Sequence, residues 1–147
     1  MNKYPPLAPY ITVNDGATAV DFYRAAFGAT ERCRLTDPES GKIGHSELII
    51  NGELLMLSDE YPSHGMAPST LGGHTGRLCL MVDDVDAALA SAVEAGAEEM
   101  CPAEDHFYGM RSATVRDPFG HVWNLQKQQE ELSPEEMQAR WAAMLGK

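Results

Sequence analysis

Basic residues are scarce in this 147-residue chain, where 11 Lys and Arg stand against 22 Asp and Glu and leave a formal net charge of −11. Phosphate backbones and anionic lipid surfaces repel such a chain, which argues against nucleic acid or a membrane as partner. Long apolar runs are also lacking. None approaches the roughly 20 residues of a membrane-spanning helix, and MNKYPPLAPY lacks the apolar segment of a signal peptide.

Cysteine is rare as well, with Cys33, Cys79 and Cys101 widely separated along the chain. An odd number of scattered cysteines excludes a CxxC site and makes a disulfide framework improbable. We therefore expect reduced thiols, a cytoplasmic location and three small buried core residues.

The hydrophobic content of 44% is enough for a packed core, and it is organised as an internal repeat. The segment ITVNDGATAVDFYRAAFGA aligns with LMVDDVDAALASAVEAGA, so that Val13 corresponds to Val82 at an offset of about 69 residues. In each copy an apolar strand precedes Asn or Asp helix starters, and Gly28 or Gly96 ends the helix. Further strands follow, giving a βαβββ unit.

The predicted fold class is therefore α+β, with two tandem βαβββ modules forming a curved, cup-like mixed sheet and with a helix at the C-terminus. We expect a single domain over residues 1–147. Its parts are module one at about 5–59, a loop at 60–75, module two at about 76–128 and a helix at about 133–146. The loop is rich in Gly, Ser, Pro and His, which is typical of a module linker or a functional lid.

The tail carries the signature of an amphipathic helix. Ser133 is placed as N-cap, Pro134 at the first helical position and Glu136 three residues after the cap, which together make a capping box. One apolar stripe follows, formed by Met137, Trp141, Met144 and Leu145. It packs either on the chain's own sheet or across a second subunit.

Paired βαβββ units, the DFYRAAFGA helix end, the HSELIINGELLMLSDE hairpin and DPFGHVWNLQ resemble the vicinal oxygen chelate superfamily over residues 7–127. This is the glyoxalase, bleomycin resistance protein and dioxygenase group, and the resemblance is nearest to its PhnB-like branch. It implies a homodimer, with cups completed across the interface. Metal enzymes of this family hold a cation with four His and Glu ligands. Those positions fall here at Ala8, Met56, Arg77 and Asn124, none of which is a good ligand. We therefore expect no metal and no cofactor.

Hairpin geometry predicts independently which side chains line the cup. A two-residue Asn51-Gly52 turn pairs Ile50 with Glu53 and Glu47 with Met56. Because faces alternate along a strand, Leu48, Ile50, Leu55 and Leu57 belong to the core. The cup then receives the opposite face of this hairpin: His45, Glu47, Ile49, Leu54, Met56 and Ser58.

The same treatment of the DPFG turn pairs Arg116 with His121 and Ala113 with Asn124. It directs Arg111, Asn124 and Gln126 into the cup, together with Arg77 from the fifth strand. Strand one contributes Tyr10 and Thr12, and Tyr108 lies in a loop that covers the cup. The candidate ligand-binding residues are therefore Tyr10, Thr12, His45, Glu47, Met56, Arg77, Tyr108, Arg111, Asn124 and Gln126.

Two functions remain open from these residues. The first is metal-free binding of a small anionic or amphipathic organic molecule, clamped by Arg77 and Arg111. The alternative role for these arginines is an Arg–Glu ion pair in a solvated groove, with no ligand. The second is an enzyme of lyase, isomerase or dioxygenase type. It would use Glu47 as a general base, if burial raised its pKa, or His45 and Glu47 with His64 or His74 around a non-standard metal.

Overall fold

The computed structural model describes residues 3–147, and its first half has the predicted βαβββ order. The elements are β1 (Tyr10–Val13), α1 (Gly16–Phe27), β2 (Thr30–Thr36), β3 (Ile43–Ile50) and β4 (Glu53–Asp59). β1 starts at Tyr10, after a proline-rich segment. Pro5, Pro6 and Pro9 have no backbone N–H to give to a ladder, so the preceding segment stays outside the sheet.

The second half repeats the order after a loop that holds a short helix, α2 (Pro68–Leu71), which was not predicted. The repeated elements are β5 (Leu78–Met81), α3 (Val85–Ala95), β6 (Glu98–Asp105), β7 (Met110–Arg116) and β8 (Val122–Gln128). Each half forms a mixed sheet of four strands, in the orders β1-β4-β3-β2 and β5-β8-β7-β6. The predicted α+β class with two βαβββ modules is confirmed. Its strands form two hydrogen-bonded sheets rather than one.

Both long helices begin and end as their sequences indicate. The Asp15 carboxylate accepts a hydrogen bond from Thr18 N at 3.1 Å, and that of Asp84 accepts one from Ala87 N at 3.0 Å. Gly28 and Gly96 close the helices in the left-handed conformation, with φ of 68° and 119°. These equivalent caps set α1 and α3 at the same place in each module.

The β3–β4 hairpin has the predicted register. Ile50 pairs with Glu53, Leu48 with Leu55 and Glu47 with Met56. The face that carries Leu48, Ile50, Leu55 and Leu57 is buried in the core, as expected. Side chains at Glu47 and Met56 therefore share the opposite face.

The β7–β8 register differs from the prediction by one residue. Thr114, not Ala113, pairs with Asn124, and Arg116 pairs with Val122. Asp117 N donates to His121 O at 2.8 Å, so the loop contains the three residues 118–120, with Gly120 at φ 93°. A three-residue loop shifts the pairing by one residue relative to the four-residue loop that the prediction assumed.

This shift moves Arg111 to the helix side of its sheet, so its predicted place in the cup is wrong. Its guanidinium binds Asp86 of α3 at 2.9 Å and Asp105 of β6 at 3.0 Å. Ala113 and Val115 move with it, and Ser112 and Thr114 take their place on the other face.

Aromatic side chains join the two modules in one core. The Trp123 ring centroid lies 4.7 Å from that of Phe27 and 5.5 Å from that of Tyr23, and α1 packs on α3. The Phe119 ring lies against Phe22, with centroids 6.1 Å apart. The side of each sheet that faces its helix is therefore part of a common core.

A buried carboxylate, Asp117, connects this core to the DPFG turn. Its Oδ2 accepts hydrogen bonds from Tyr23 Oη at 2.5 Å and Trp123 Nε1 at 2.9 Å. Its Oδ1 accepts from the backbone N–H groups of Phe119 and His121. His121 also donates from Nε2 to Thr12 O at 2.8 Å, so it bridges the modules as well as fixing the turn.

The last element, α4 (Pro134–Met144), has the predicted capping box between Ser133 and Glu136. It buries none of its residues, and Trp141 is 47% exposed, so the stripe does not pack on the chain's own sheet. Arg140 holds the helix in place through Glu130 and Phe107 O. Within residues 3–147, the helices lack the length and apolar character that crossing a membrane would require.

Removing the Tyr23 hydroxyl tests the connection at Asp117. Tyr23→Phe deletes one donor to a buried carboxylate, and hydrogen bonds to charged groups contribute roughly 1.5–3 kcal/mol. We expect the free energy of unfolding in urea to fall by about that amount. Tyr108→Phe is the control, since the Tyr108 hydroxyl has no hydrogen-bond partner in residues 3–147. A Tyr23→Phe loss no larger than that of the control would contradict this account.

Candidate functional site

The open face of each sheet, defined here as the side opposite its helix, carries a central row of four paired side chains. In the first sheet the row is Tyr10, Met56, Glu47 and Cys33, taken from β1, β4, β3 and β2. In the second sheet it is Cys79, Asn124, Thr114 and Cys101, taken from β5, β8, β7 and β6. The rows occupy equivalent positions in the two modules, so each residue of one row has a counterpart in the other.

The rows also place the positions that the family resemblance assigned to metal ligands. Met56 and Asn124 are equivalent to each other, and Ala8 and Arg77 lie two residues before Tyr10 and Cys79. A methyl group, a thioether, a guanidinium and a carboxamide do not form a ligand set for Zn²⁺, Mn²⁺ or Fe²⁺. The residues present do not fit the metal that the fold's enzymes carry. In the described part of the chain, no three His, Cys, Asp or Glu lie together as a metal site.

Glu47 is the centre of the most connected polar group on the open faces. We call this group the Glu47 cluster: Tyr4, Tyr10, Arg32, His45 and Glu47. The side chain of Glu47 is only 1% exposed. Its Oε1 accepts a hydrogen bond from Tyr4 Oη at 2.6 Å, and its Oε2 accepts one from Arg32 Nε at 2.5 Å.

His45 links Tyr10 to this carboxylate. The His45 Nε2 atom lies 3.1 Å from Glu47 Oε1, and its Nδ1 atom lies 2.8 Å from Tyr10 Oη. A carboxylate only accepts hydrogen bonds, so Nε2 donates to Glu47, and in that tautomer Nδ1 accepts from the phenol of Tyr10. His45 and Glu47 therefore do lie together on the open face, as the hairpin register predicts.

The environment of Glu47 is the reverse of the one that a general base requires. Hydrogen bonds from Tyr4, Arg32 and His45 lower the pKa of Glu47 from 4.5 to about 2. The condition for a general base, a pKa raised by burial, is not met, because the three donors outweigh the desolvation of the charge. Glu47 is a permanently ionised acceptor at neutral pH.

Two members of the cluster, Tyr4 and Arg32, were missed in the sequence. Tyr4 lies in the proline-rich segment before β1, where no strand pattern assigns a face. Arg32 sits at an irregularity in β2, between the paired residues Glu31 and Cys33, where simple alternation fails. The only signal for Arg32 in the sequence was a positive charge on β2, the strand that pairs with the Glu47 strand β3.

A cavity of about 600 Å³ adjoins the cluster on the first open face. Its lining combines aromatic rings with hydroxyl groups: Tyr10, Thr12, Gly44, Ser58, Tyr61 and His64. Tyr61 and His64 come from the loop after β4, where a bridge between Tyr61 and Gly65 folds the loop back on itself. Tyr10, Thr12 and Ser58 were predicted for the cup, whereas Tyr61 was not.

A second cavity, of about 440 Å³, is lined by Arg77 together with Tyr10 and Thr12. His74, His121 and Val122 also line it. His74 is therefore on the Arg77 side of β1, and His64 lies in the neighbouring cavity. Neither histidine joins His45 and Glu47 in a metal site among residues 3–147.

The remaining predicted residues lie on or near the second sheet. Asn124 and Gln126 are buried on its open face, and Thr114 Oγ1 donates to Asn124 Oδ1 at 3.2 Å. Tyr108 lies in the β6–β7 loop and stacks on His106, with centroids 5.1 Å apart. Neither of the two cavities described above is lined by these residues.

The cysteines are on the open faces rather than in the core. Cys79 and Cys101 are exposed and Cys33 is partly buried, and all three are free thiols. The prediction of three buried core residues is wrong. Strand alternation puts each of them in a central row, on the side away from the helix.

Comparison with known proteins agrees with this geometry. The chain is 41% identical over 143 residues to an uncharacterized protein of Mycobacterium tuberculosis, covering 95% of this chain and 84% of the relative. It superposes on TioX from Micromonospora sp. ML1 with a TM-score of 0.65 at 28% identity, covering 88% of this chain and all of TioX.

The fosfomycin resistance protein FosX from Listeria monocytogenes, complexed with Mn(II) and sulfate, has the same fold. Its TM-score is 0.63 at 16% identity, and the match covers 92% of this chain and 98% of FosX. The model of the Glyoxalase/Bleomycin resistance protein/Dioxygenase superfamily matches residues 6–125, which is most of the sequence. The chain belongs to the Glyoxalase/Bleomycin resistance protein/Dioxygenase superfamily.

Proposed function

We propose that this protein binds a small anionic or amphipathic organic molecule without a metal, at the first open face. The observation that carries the proposal is the chemistry of the two equivalent positions on β4 and β8. Met56 and Asn124 stand where a cation-binding relative would need strong ligands, and Arg77 beside β5 opposes a cation electrostatically. Binding, rather than metal-assisted chemistry, is the function that these residues favour.

The ligand chemistry follows from the two cavities on either side of β1. Tyr10 and Tyr61 offer aromatic walls, and Thr12 and Ser58 offer hydroxyl groups. Arg77 supplies an exposed cation to the cavity that Tyr10 and Thr12 also line. Apolar walls with a few placed polar groups are typical of small-molecule sites, and a guanidinium selects a carboxylate or a phosphonate.

Glu47 enters this proposal as a structural acceptor and not as a base. With a pKa of about 2 it holds no proton at neutral pH, and a carboxylate that weakly basic abstracts a proton poorly. The enzymatic alternative therefore loses the raised pKa on which Glu47 as a general base depended.

We further propose that the protein is a homodimer and a member of the PhnB-like branch. The branch assignment rests on the DFYRAAFGA and DPFGHVWNLQ segments. The dimer is supported by the exposed apolar stripe of α4. A second copy would cover this stripe.

A ligand screen with a paired variant tests the binding proposal. In a panel of aromatic carboxylates and phosphonates, we expect a compound that raises the melting temperature of protein purified without chelator. Elemental analysis of the same sample should give far less than one transition metal per chain. Arg77→Ala should weaken the hit by about 10-fold or more, since a charge-assisted contact is lost. Arg111→Ala, on the helix side, should bind it as well as wild type. Stoichiometric Zn, Ni, Mn or Fe would overturn the proposal.

Acid titration tests the state assigned to Glu47. Because its pKa is lower in the folded protein, ionised Glu47 stabilises the fold fully above about pH 4.5, and this contribution is lost as the pH falls towards 2. The unfolding free energy of wild type should exceed that of Glu47→Gln by on the order of 3 kcal/mol at neutral pH. The difference should shrink across that acid range. Glu39→Gln, an exposed change in the β2–β3 turn, is the control. A difference independent of pH would refute the assignment.

Light scattering tests the dimer. Size-exclusion chromatography with in-line light scattering at micromolar concentration should give twice the chain mass of 16.0 kDa. Trp141→Ala should shift the mass towards that of a monomer if the stripe on α4 lies in the interface, because large aromatic side chains dominate interface energy. A wild-type mass of one chain would exclude the dimer.

A further inference from the structure

The segment before β1 lies across the first open face and makes specific contacts there. Tyr4 Oη donates to Glu47 Oε1 at 2.6 Å, and the Arg32 guanidinium lies 5.0 Å from the centroid of the Tyr4 ring. Arg32 Nη1 donates to Lys3 O at 3.1 Å. One phenol therefore meets both a carboxylate acceptor and a flat cation.

The two partners in this contact differ sharply in burial. Glu47 is 1% exposed, whereas Tyr4 is 62% exposed. Releasing Tyr4 would give up little apolar burial, since most of its ring already faces water. The carboxylate, however, would lose one of its three donors, and an ionised group in a covered site requires replacement of that donor.

We propose that the Glu47 cluster is a subsite for an aromatic hydroxyl group, and that Tyr4 is its internal occupant. A phenolic ligand displaces Tyr4, donates to Glu47 Oε1 and lays its ring on the Arg32 guanidinium. This inference rests on the small-molecule binding proposed above and names the chemistry of a part of that site.

The charge of the cluster sets the form of ligand that it accepts. Ionised Glu47 only accepts hydrogen bonds and repels a second anion at its Oε1 atom. Donation to Glu47 raises the pKa of Tyr4, and a ligand phenol in the same place would likewise keep its proton. The subsite thus selects neutral phenols over phenolates, carboxylates and aryl ethers.

Competition between Tyr4 and ligand gives a measurable signature. If the free protein holds Tyr4 in place for most of the time, apparent affinity is reduced by the small open fraction, and removing Tyr4 restores it. We therefore expect p-cresol to bind Tyr4→Ala about 10-fold or more tightly than it binds wild type, by isothermal titration calorimetry. The methyl ether of p-cresol, 4-methylanisole, has the same ring but no hydroxyl donor. Its affinity should increase far less on going from wild type to Tyr4→Ala.

Two further variants define the contact. Leu7→Ala changes an exposed residue of the same segment, 90% accessible, and should leave p-cresol affinity at the wild-type value. The double variant Tyr4→Ala, Glu47→Gln should lose most of the increase in p-cresol affinity that Tyr4→Ala alone produces. Should that double variant fail to fold, Tyr4→Phe removes only the hydroxyl and should still favour p-cresol over 4-methylanisole. When 4-nitrophenol binds to Tyr4→Ala, its phenolate absorbance should fall, because the bound phenol keeps its proton.

Equal p-cresol affinity in wild type and Tyr4→Ala would overturn the inference, and so would an equal gain for 4-methylanisole. This outcome is separable from failure of the broader proposal. Anion binding that depends on Arg77 but is accompanied by no phenol gain leaves the binding function standing and removes the Tyr4 subsite. If phenol affinity rises in Tyr4→Ala but no anion binds in a way that depends on Arg77, the Tyr4 subsite stands and the anion-binding proposal fails.

Discussion

The carboxylate of Asp117 is the interaction on which the arrangement of the two modules depends. It is buried, and it accepts four hydrogen bonds, from the α1 side chain of Tyr23, from Trp123 and from two backbone groups of its own turn. An ionised group in such a place is stable only when its acceptor sites are filled. Tyr23 comes from one module and the other donors from the second. The shape of the final turn and the packing of α1 against β8 are therefore a single constraint.

Much of the fold could be read from local chemistry. Asn51-Gly52 allows only a short turn, and the pairing of Glu47 with Met56 follows from it. The DPFG turn was harder, because Asp, Pro and Gly fit loops of three or four residues equally well. In the structure Asp117 accepts hydrogen bonds from two backbone groups of a three-residue loop and also from Tyr23, 94 residues earlier in the chain. No local pattern contains that contact, so the face of Arg111 was predicted wrongly.

The candidate site divides along similar lines. Alternation along a strand was enough to place His45 and Glu47 side by side on the open face. It could not supply Tyr4, which comes from irregular chain, or Arg32, which lies at a break in the β2 ladder. Both residues donate hydrogen bonds to Glu47 and lower its pKa, so the site holds a carboxylate that stays ionised at neutral pH instead of a base with a raised pKa. The charge state of Glu47 therefore depends on contacts that strand alternation does not predict.

The paired rows on the two open faces carry an evolutionary consequence. The loop length at residues 118–120 determines which β7 and β8 side chains pack in the core, so an insertion there would expel Trp123 and Leu125 from it. Substitution within a row disturbs no register. One row carries the ionised Glu47, whose donors Tyr4, Arg32 and His45 lie outside the row, while the equivalent Thr114 of the other row is neutral. A duplicated scaffold of this kind can acquire new ligands one row position at a time, while the buried half of every strand stays unchanged.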